Sequence, residues 1–113
     1  MKIHGREVGF MLTVGASAEI AKLCPNNDIS RLGELFGDDY VASIDIVSKI
    51  VVALNKGFEM AKSFEEPGYQ PKPLTHEELM TLTTPQLMEL QRAAMAAFKT
   101  DSEGTVEVAA PKK

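Results

Sequence analysis

The sequence predicts an α+β protein, mostly α, in which an N-terminal β-hairpin packs on a helical domain with one long central helix. Three observations predict it. Residues 2–14, KIHGREVGFMLTV, place a glycine after a short run and then alternate oily and small side chains. Residues 39–66 carry apolar side chains at helical spacing with no proline before Pro67. The remaining stretches open on capping residues and close on glycine or proline, the punctuation of helices. A chain of 113 residues has the size of one domain, expected over residues 1–100 and followed by a tail.

The elements follow in order. Gly5 supplies the positive φ that a tight hairpin turn requires, and Val8, Phe10, Leu12 and Val14 give the second strand one oily face. Gly15 ends that strand. Ser17 is expected to cap a helix over about 17–24, which Pro25 stops. Asp28 or Ser30 caps a second short helix, about 29–36, with Ile29, Leu32, Leu35 and Phe36 inward and Gly37 as its stop. Asp38 and Asp39 suit the positive end of the long helix, which Pro67-Gly68 terminates. Thr75 and Glu78 form a capping box for a helix over 76–82. Thr84-Pro85 opens the last helix, about 85–99, with Leu87, Leu90, Ala94, Ala97 and Phe98 on one side. Residues 101–113, small, polar and unpatterned, are expected to be disordered.

Composition narrows the function. Hydrophobic residues make up 44% and charged residues 25%, enough to fold around a core without disulfide or metal. The net charge of -4 lacks the basic footprint of nucleic-acid binding, so no nucleic acid is expected as partner. No run of 18 apolar residues is present, so no membrane span is expected. The N-terminus has no signal-peptide pattern, and the single Cys24 fits a reducing compartment. The expected location is the cytoplasm.

No catalytic set can be assembled. His4 and His76 are far apart and lack further ligands at short helical spacing, so neither marks a metal site. Cys24 lies at a helix C-terminus, where the dipole disfavours a thiolate. Asp38-Asp39 and Glu77-Glu78 sit at helix starts, where capping explains them, and Glu65-Glu66 is expected to be solvated. The glycines form no phosphate-cradling pattern. The chain is therefore expected to be no enzyme and to need no cofactor. A small enzyme using His4, Cys24 or His76 is the remote alternative.

The long helix carries the positive signal. Tyr40, Ile44, Val47, Val51, Leu54, Phe58 and Ala61 follow four-three spacing, with a second row of Ile46, Ile50, Ala53, Met60 and Phe64 beside it. Asp45, Lys49, Lys56 and Glu59 keep to the far side, with Asp45 and Lys49 spaced for an i,i+4 pair. The apolar arc spans roughly 200°, about twice that of an ordinary surface helix. Either the helix runs through the centre of the molecule or its second row meets another chain. Ile46, Ile50, Met60 and Phe64 are thus candidates for self-association or client binding, with a homo-oligomer as the simplest form. Met88 lies beside the inward row of its helix and joins them, since methionine serves adaptable binding surfaces.

The order of these parts resembles a known family. The hairpin KIHGREVGFMLTV, the run of helices, the late module LTHEELMTLTTPQLMELQRAAMAAF and the loose lysine-ended tail are similar to the tail assembly chaperones of long-tailed bacteriophages and prophages. The resemblance covers most of the chain and rests on order and texture. It implies a non-enzymatic protein that escorts the tape measure protein and helps tail tube protein polymerise around it. Such a protein acts in the host cytoplasm and is absent from the finished virion. The resemblance further implies a longer frameshifted product, for which the codons of the final APKK could supply a slippery stretch. The competing expectation is a small cytoplasmic adaptor or regulator that dimerises through its long helix.

Overall fold

Backbone satisfaction organises this molecule around its long helix. A computed structural model describes the backbone of residues 2–109 and the side chains of residues 2–101. The elements are β1 (Lys2–Ile3), β2 (Arg6–Glu7), α1 (Val14–Ala21), α2 (Tyr40–Glu65), α3 (His76–Met80) and α4 (Thr84–Ala109), with 3₁₀ turns at Pro25–Asn27 and Ile29–Leu35. The fold is α+β and mostly α. Its only sheet among the described residues is a two-stranded antiparallel hairpin, with Lys2 opposite Glu7 and Ile3 opposite Arg6. His4 and Gly5 both adopt positive φ at its turn, which glycine takes without steric cost.

The hairpin is shorter than the alternation predicts. Residues 8–13 are extended but pair with no strand, because helices take their backbone groups. Met11 N–H donates to the Leu54 carbonyl of α2 at 3.0 Å. Leu12 N–H donates to Asp101 Oδ2 of α4 at 2.8 Å. The Gly9 carbonyl accepts from Asn55 Nδ2 at 2.9 Å. The expected first helix also shifts. Thr13, not Ser17, is the N-cap, accepting from Ala16 N–H, so Val14 belongs to α1 and points into solvent.

The second expected short helix is a 3₁₀ turn, capped by Asp28 on Ser30 N–H. The capping box of α3 forms as its spacing predicts, with Thr75 and Glu78 bonded reciprocally. A second box, T-x-x-Q, opens α4 one residue early. Thr83 Oγ1 accepts from Gln86 N–H and Gln86 Oε1 accepts from Thr83 N–H. The last helix does not stop near Lys99. It continues to Ala109 through part of the expected tail, despite Gly104 and the β-branched Thr105, Val106 and Val108. Asp101, at the start of that stretch, is half-buried against the N-terminal segment. Of the expected disordered tail, positions 110–113 lie outside the described residues.

α2 runs through the centre. α1 covers one side with Ala16 and Ile20, α4 covers another with Leu90 and Ala94, and Leu74, Leu79 and Val8 close the rest. The middle of α2, from Val47 to Glu59, is therefore buried against its own chain on most of its circumference. Gly57 makes this possible. A Cβ there would lie 2.6 Å from the Met11 carbonyl oxygen and 2.8 Å from Thr13 Oγ1. Gly9 allows a similar approach to the Phe58 ring.

Candidate apolar groove

The apolar surface that α2 keeps exposed is confined to its two ends. At its N-terminal end a groove of about 340 Å³ opens between α2, α3 and the first turns of α4. Ile44 and Val47 form its α2 wall, and Leu79, Leu82 and Leu87 its opposite wall. Phe36, Tyr40, Met80 and Met88 stand around it as exposed large apolar side chains, Tyr40 at 64% and Met88 at 54% exposure. Local structure places each of them. Asp39 caps α2 on Ala42 N–H and so begins the helix at Tyr40. The capping box starts α3 and leaves Leu79 inward and Met80 outward. The Thr83–Gln86 box orients α4 so that Leu87 and Met88 face the groove. Each exposed aromatic or methionine leaves apolar area in water, and four around one concave surface is the mark of a contact site.

The five residues singled out by sequence separate. Met88 lines the groove. Ile50 does not reach any surface, being 2% exposed in the core between α2 and its neighbours, so its assignment to a partner contact is corrected. Ile46 is partly buried against that core. Met60 and Phe64 are exposed, Phe64 at 87%, but they lie at the C-terminal end of α2. Ile44 and Phe64 are 20 residues apart, about 30 Å along the helix, so Phe64 and the groove are separate surfaces. The sequence reading missed Phe36, Tyr40 and Met80 as members of one site. Their joining depends on how α3 folds back across α2, which no local pattern encodes.

The polar residues serve as ties. Asn55, fully buried, donates to Gly9 and accepts from Leu74 N–H at 2.7 Å, fastening the extended N-terminal segment and the proline-rich loop to α2. Glu59 was expected on the solvated side of α2. It is 2% exposed, because the loop folds over it and supplies Tyr69 O–H at 2.5 Å and Lys72 N–H at 2.9 Å. That bond raises the Tyr69 phenol above its ordinary value, since it favours the protonated form beside a carboxylate. Asp45 and Lys49 form the expected pair at 2.9 Å.

The groups considered for chemistry are also tied. Ser48 Oγ lies 3.0 Å from His76 Nδ1 at the edge of a second depression of about 290 Å³. Ser48 Oγ also lies 2.9 Å from the Asp45 carbonyl, to which it can donate, and the direction of its bond with His76 Nδ1 is set by the imidazole tautomer. His4 Nε2 is hydrogen-bonded to Thr81 Oγ1 at 2.9 Å, and that hydroxyl also lies within reach of the Glu78 carbonyl. Cys24 is buried, donates to the Ile20 carbonyl and has its thiol pushed up by burial and by Asp28. Among the described residues, no group of three or more His, Cys, Asp or Glu could hold a metal ion, and no helix is long and apolar enough to cross a membrane.

No protein-family model matches the chain, and no match emerged from the curated proteins or the solved structures.

Proposed function

We propose that this protein is a non-enzymatic assembly chaperone that holds an apolar client segment in the groove between α2, α3 and α4. One observation carries the reading: Phe36, Tyr40, Met80 and Met88 crowd exposed apolar area around a single concavity of about 340 Å³. Methionines adapt to irregular partners, which suits brief and repeated contacts with a long client. The likeness in order and texture to phage tail assembly chaperones names the client. It is the tape measure protein, escorted in the host cytoplasm while tail tube protein polymerises, and the escort is absent from the virion. The competing adaptor, dimerising along its long helix, has less in its favour, because the middle of α2 is already enclosed by its own chain.

The test is co-expression with the tape measure protein of the same genome, followed by capture through a tag on this chain. Met88→Glu is expected to lower client affinity about thirtyfold, the scale of an interface hot spot of about 2 kcal/mol, and client recovery with it. Phe64→Glu, on the other end of α2, is expected to leave recovery unchanged. Equal recovery with wild type and Met88→Glu, at equal helix content, overturns the groove as the client site. No recovery with wild type overturns the client.

A further inference from the structure

We propose that the N-terminal hairpin is the backing of the groove: through His4 and Arg6 it holds α3 in place, and so sets client affinity without touching the client. The inference rests on the groove being the client site and adds the element that positions one of its walls. α3 needs such support. It has five residues, His76–Met80, too few for a helix to hold itself in water. The backbone bonds around it are long for their kind. Leu79 N–H lies 3.3 Å from the Thr75 carbonyl, and Thr81 and Leu82 N–H lie 3.2 Å from the Glu78 and Leu79 carbonyls. This weakly self-supported turn nevertheless supplies Leu79 and Met80 to the groove.

Two hairpin side chains reach α3. Arg6 Nη1 lies 3.5 Å from Glu78 Oε2, and Arg6 Nη2 donates to the Lys72 carbonyl in the loop that leads into α3. Nη1 is buried and makes no hydrogen bond among the described residues, so the Glu78 carboxylate is the counter-charge within its reach. The other Glu78 oxygen accepts from Thr75 N–H at 2.9 Å. One carboxylate thus caps α3 and receives Arg6. His4 Nε2 is bonded to Thr81 Oγ1 at the C-cap. Glu78 and Thr81 are three residues apart and share one face of the turn. Met80, two residues on from Glu78, is rotated roughly 160° away from it. α3 therefore stands with the hairpin on one side and the groove on the other. The hairpin is itself held firmly. Ile3 and, just past β2, Val8 are buried in the core, and the extended segment that follows is bonded to α2 and α4. Support runs from the core through Arg6 and His4 to the groove wall.

Three variants of the full chain test the inference. Arg6→Gln and Thr81→Val each cut one tie, and Glu78→Gln removes the charge facing Arg6 while keeping the capping-box pattern. Methionine methyl resonances and amide hydrogen exchange are read first, with no client present. The Met80 methyl is expected to shift in each variant, and the Met88 methyl, on α4, to stay in place. Exchange at the Leu79, Thr81 and Leu82 amides is expected to quicken by up to about tenfold, the scale of one lost charge-assisted hydrogen bond. The Val51 and Leu54 amides, in the core of α2, are expected to keep their rates. Capture of the tape measure protein is then expected to fall several-fold in the same variants. An unmoved Met80 methyl with unchanged exchange in all three overturns the backing. Equal quickening at Val51 and Leu54 overturns it too, since the ties then serve the whole fold. A loosened α3 with undiminished capture, where Met88→Glu still lowers capture, removes the hairpin's hold on client affinity and leaves the groove reading standing. Capture indifferent to Met88→Glu removes the groove reading, and this inference with it.

Discussion

Replacing Gly57 with alanine sets two known effects against each other at one atom. In a helix interior alanine is about 1 kcal/mol more favourable than glycine, so an isolated α2 would gain from the change. In the folded protein the new Cβ falls 2.6 Å from the Met11 carbonyl oxygen, 2.8 Å from Thr13 Oγ1 and 3.2 Å from the Ala16 Cβ. None of these is the loose end of a long side chain. Met11 is held to α2 by its own N–H, and Thr13 Oγ1 is occupied in capping α1. Relief requires residues 11–16 to move outward as a unit. Overpacking of this kind costs about 1–3 kcal/mol, and losing the Met11 hydrogen bond adds about 1 kcal/mol. Subtracting the helix gain leaves a net loss of about 1–3 kcal/mol, with Tm falling by roughly 4–6 °C per kcal/mol at this size. Urea denaturation measures it, with Gly33→Ala as the control, since a Cβ at Gly33 meets nothing within 4 Å. Hydrogen exchange at the Met11 amide should also quicken in Gly57→Ala alone. A Gly57→Ala protein as stable as wild type, or more so, refutes the close approach of this segment to α2.

Other outcomes follow from the same geometry. Asn55→Ala leaves the Gly9 carbonyl and the Leu74 N–H without their partner, and urea denaturation should show a loss of about 2–4 kcal/mol. Asp28 is held below its ordinary value of 3.8, first by the Ser30 hydroxyl, then by the Ser30 N–H, with help from Arg31. Because its folded value is depressed, its contribution to stability is complete above 3.8 and disappears as pH falls through the lower folded value. An NMR titration of the Asp28 carboxyl should place its midpoint below 3.8, and Ser30→Ala should bring it back up.

What sequence reveals here is mostly local. The span of α2, the Thr75–Glu78 box and the inward row of α4 all follow from caps and periodicity, and the structure has them. Alternation failed over residues 8–14. An oily face alternating with small residues fits a strand equally well as an extended segment laid between helices, and only the α2 carbonyl and the Asp101 carboxylate decide which. Glu59 was misread for a related reason: the helical wheel places it opposite the core, but a proline-rich loop arrives from residues 69–72 to cover it. Gly57 did carry a readable signal, since an isolated glycine inside a strong helical pattern commonly marks a close contact. The groove was legible only in Met88. Its other members come from three separated stretches, and their union is a property of tertiary packing.

The bond from Leu12 to Asp101 joins positions 89 residues apart. During synthesis at roughly 5–20 residues per second, those positions leave the ribosome about 4–18 s apart. For that interval the Leu12 amide waits for its carboxylate, while Met11 and Gly9 already have Leu54 and Asn55 of α2 to bond. A nascent polypeptide arranged in this order closes its N-terminal segment in two stages, first on α2 and seconds later on Asp101, so truncation before residue 101 should leave the Leu12 amide open to exchange.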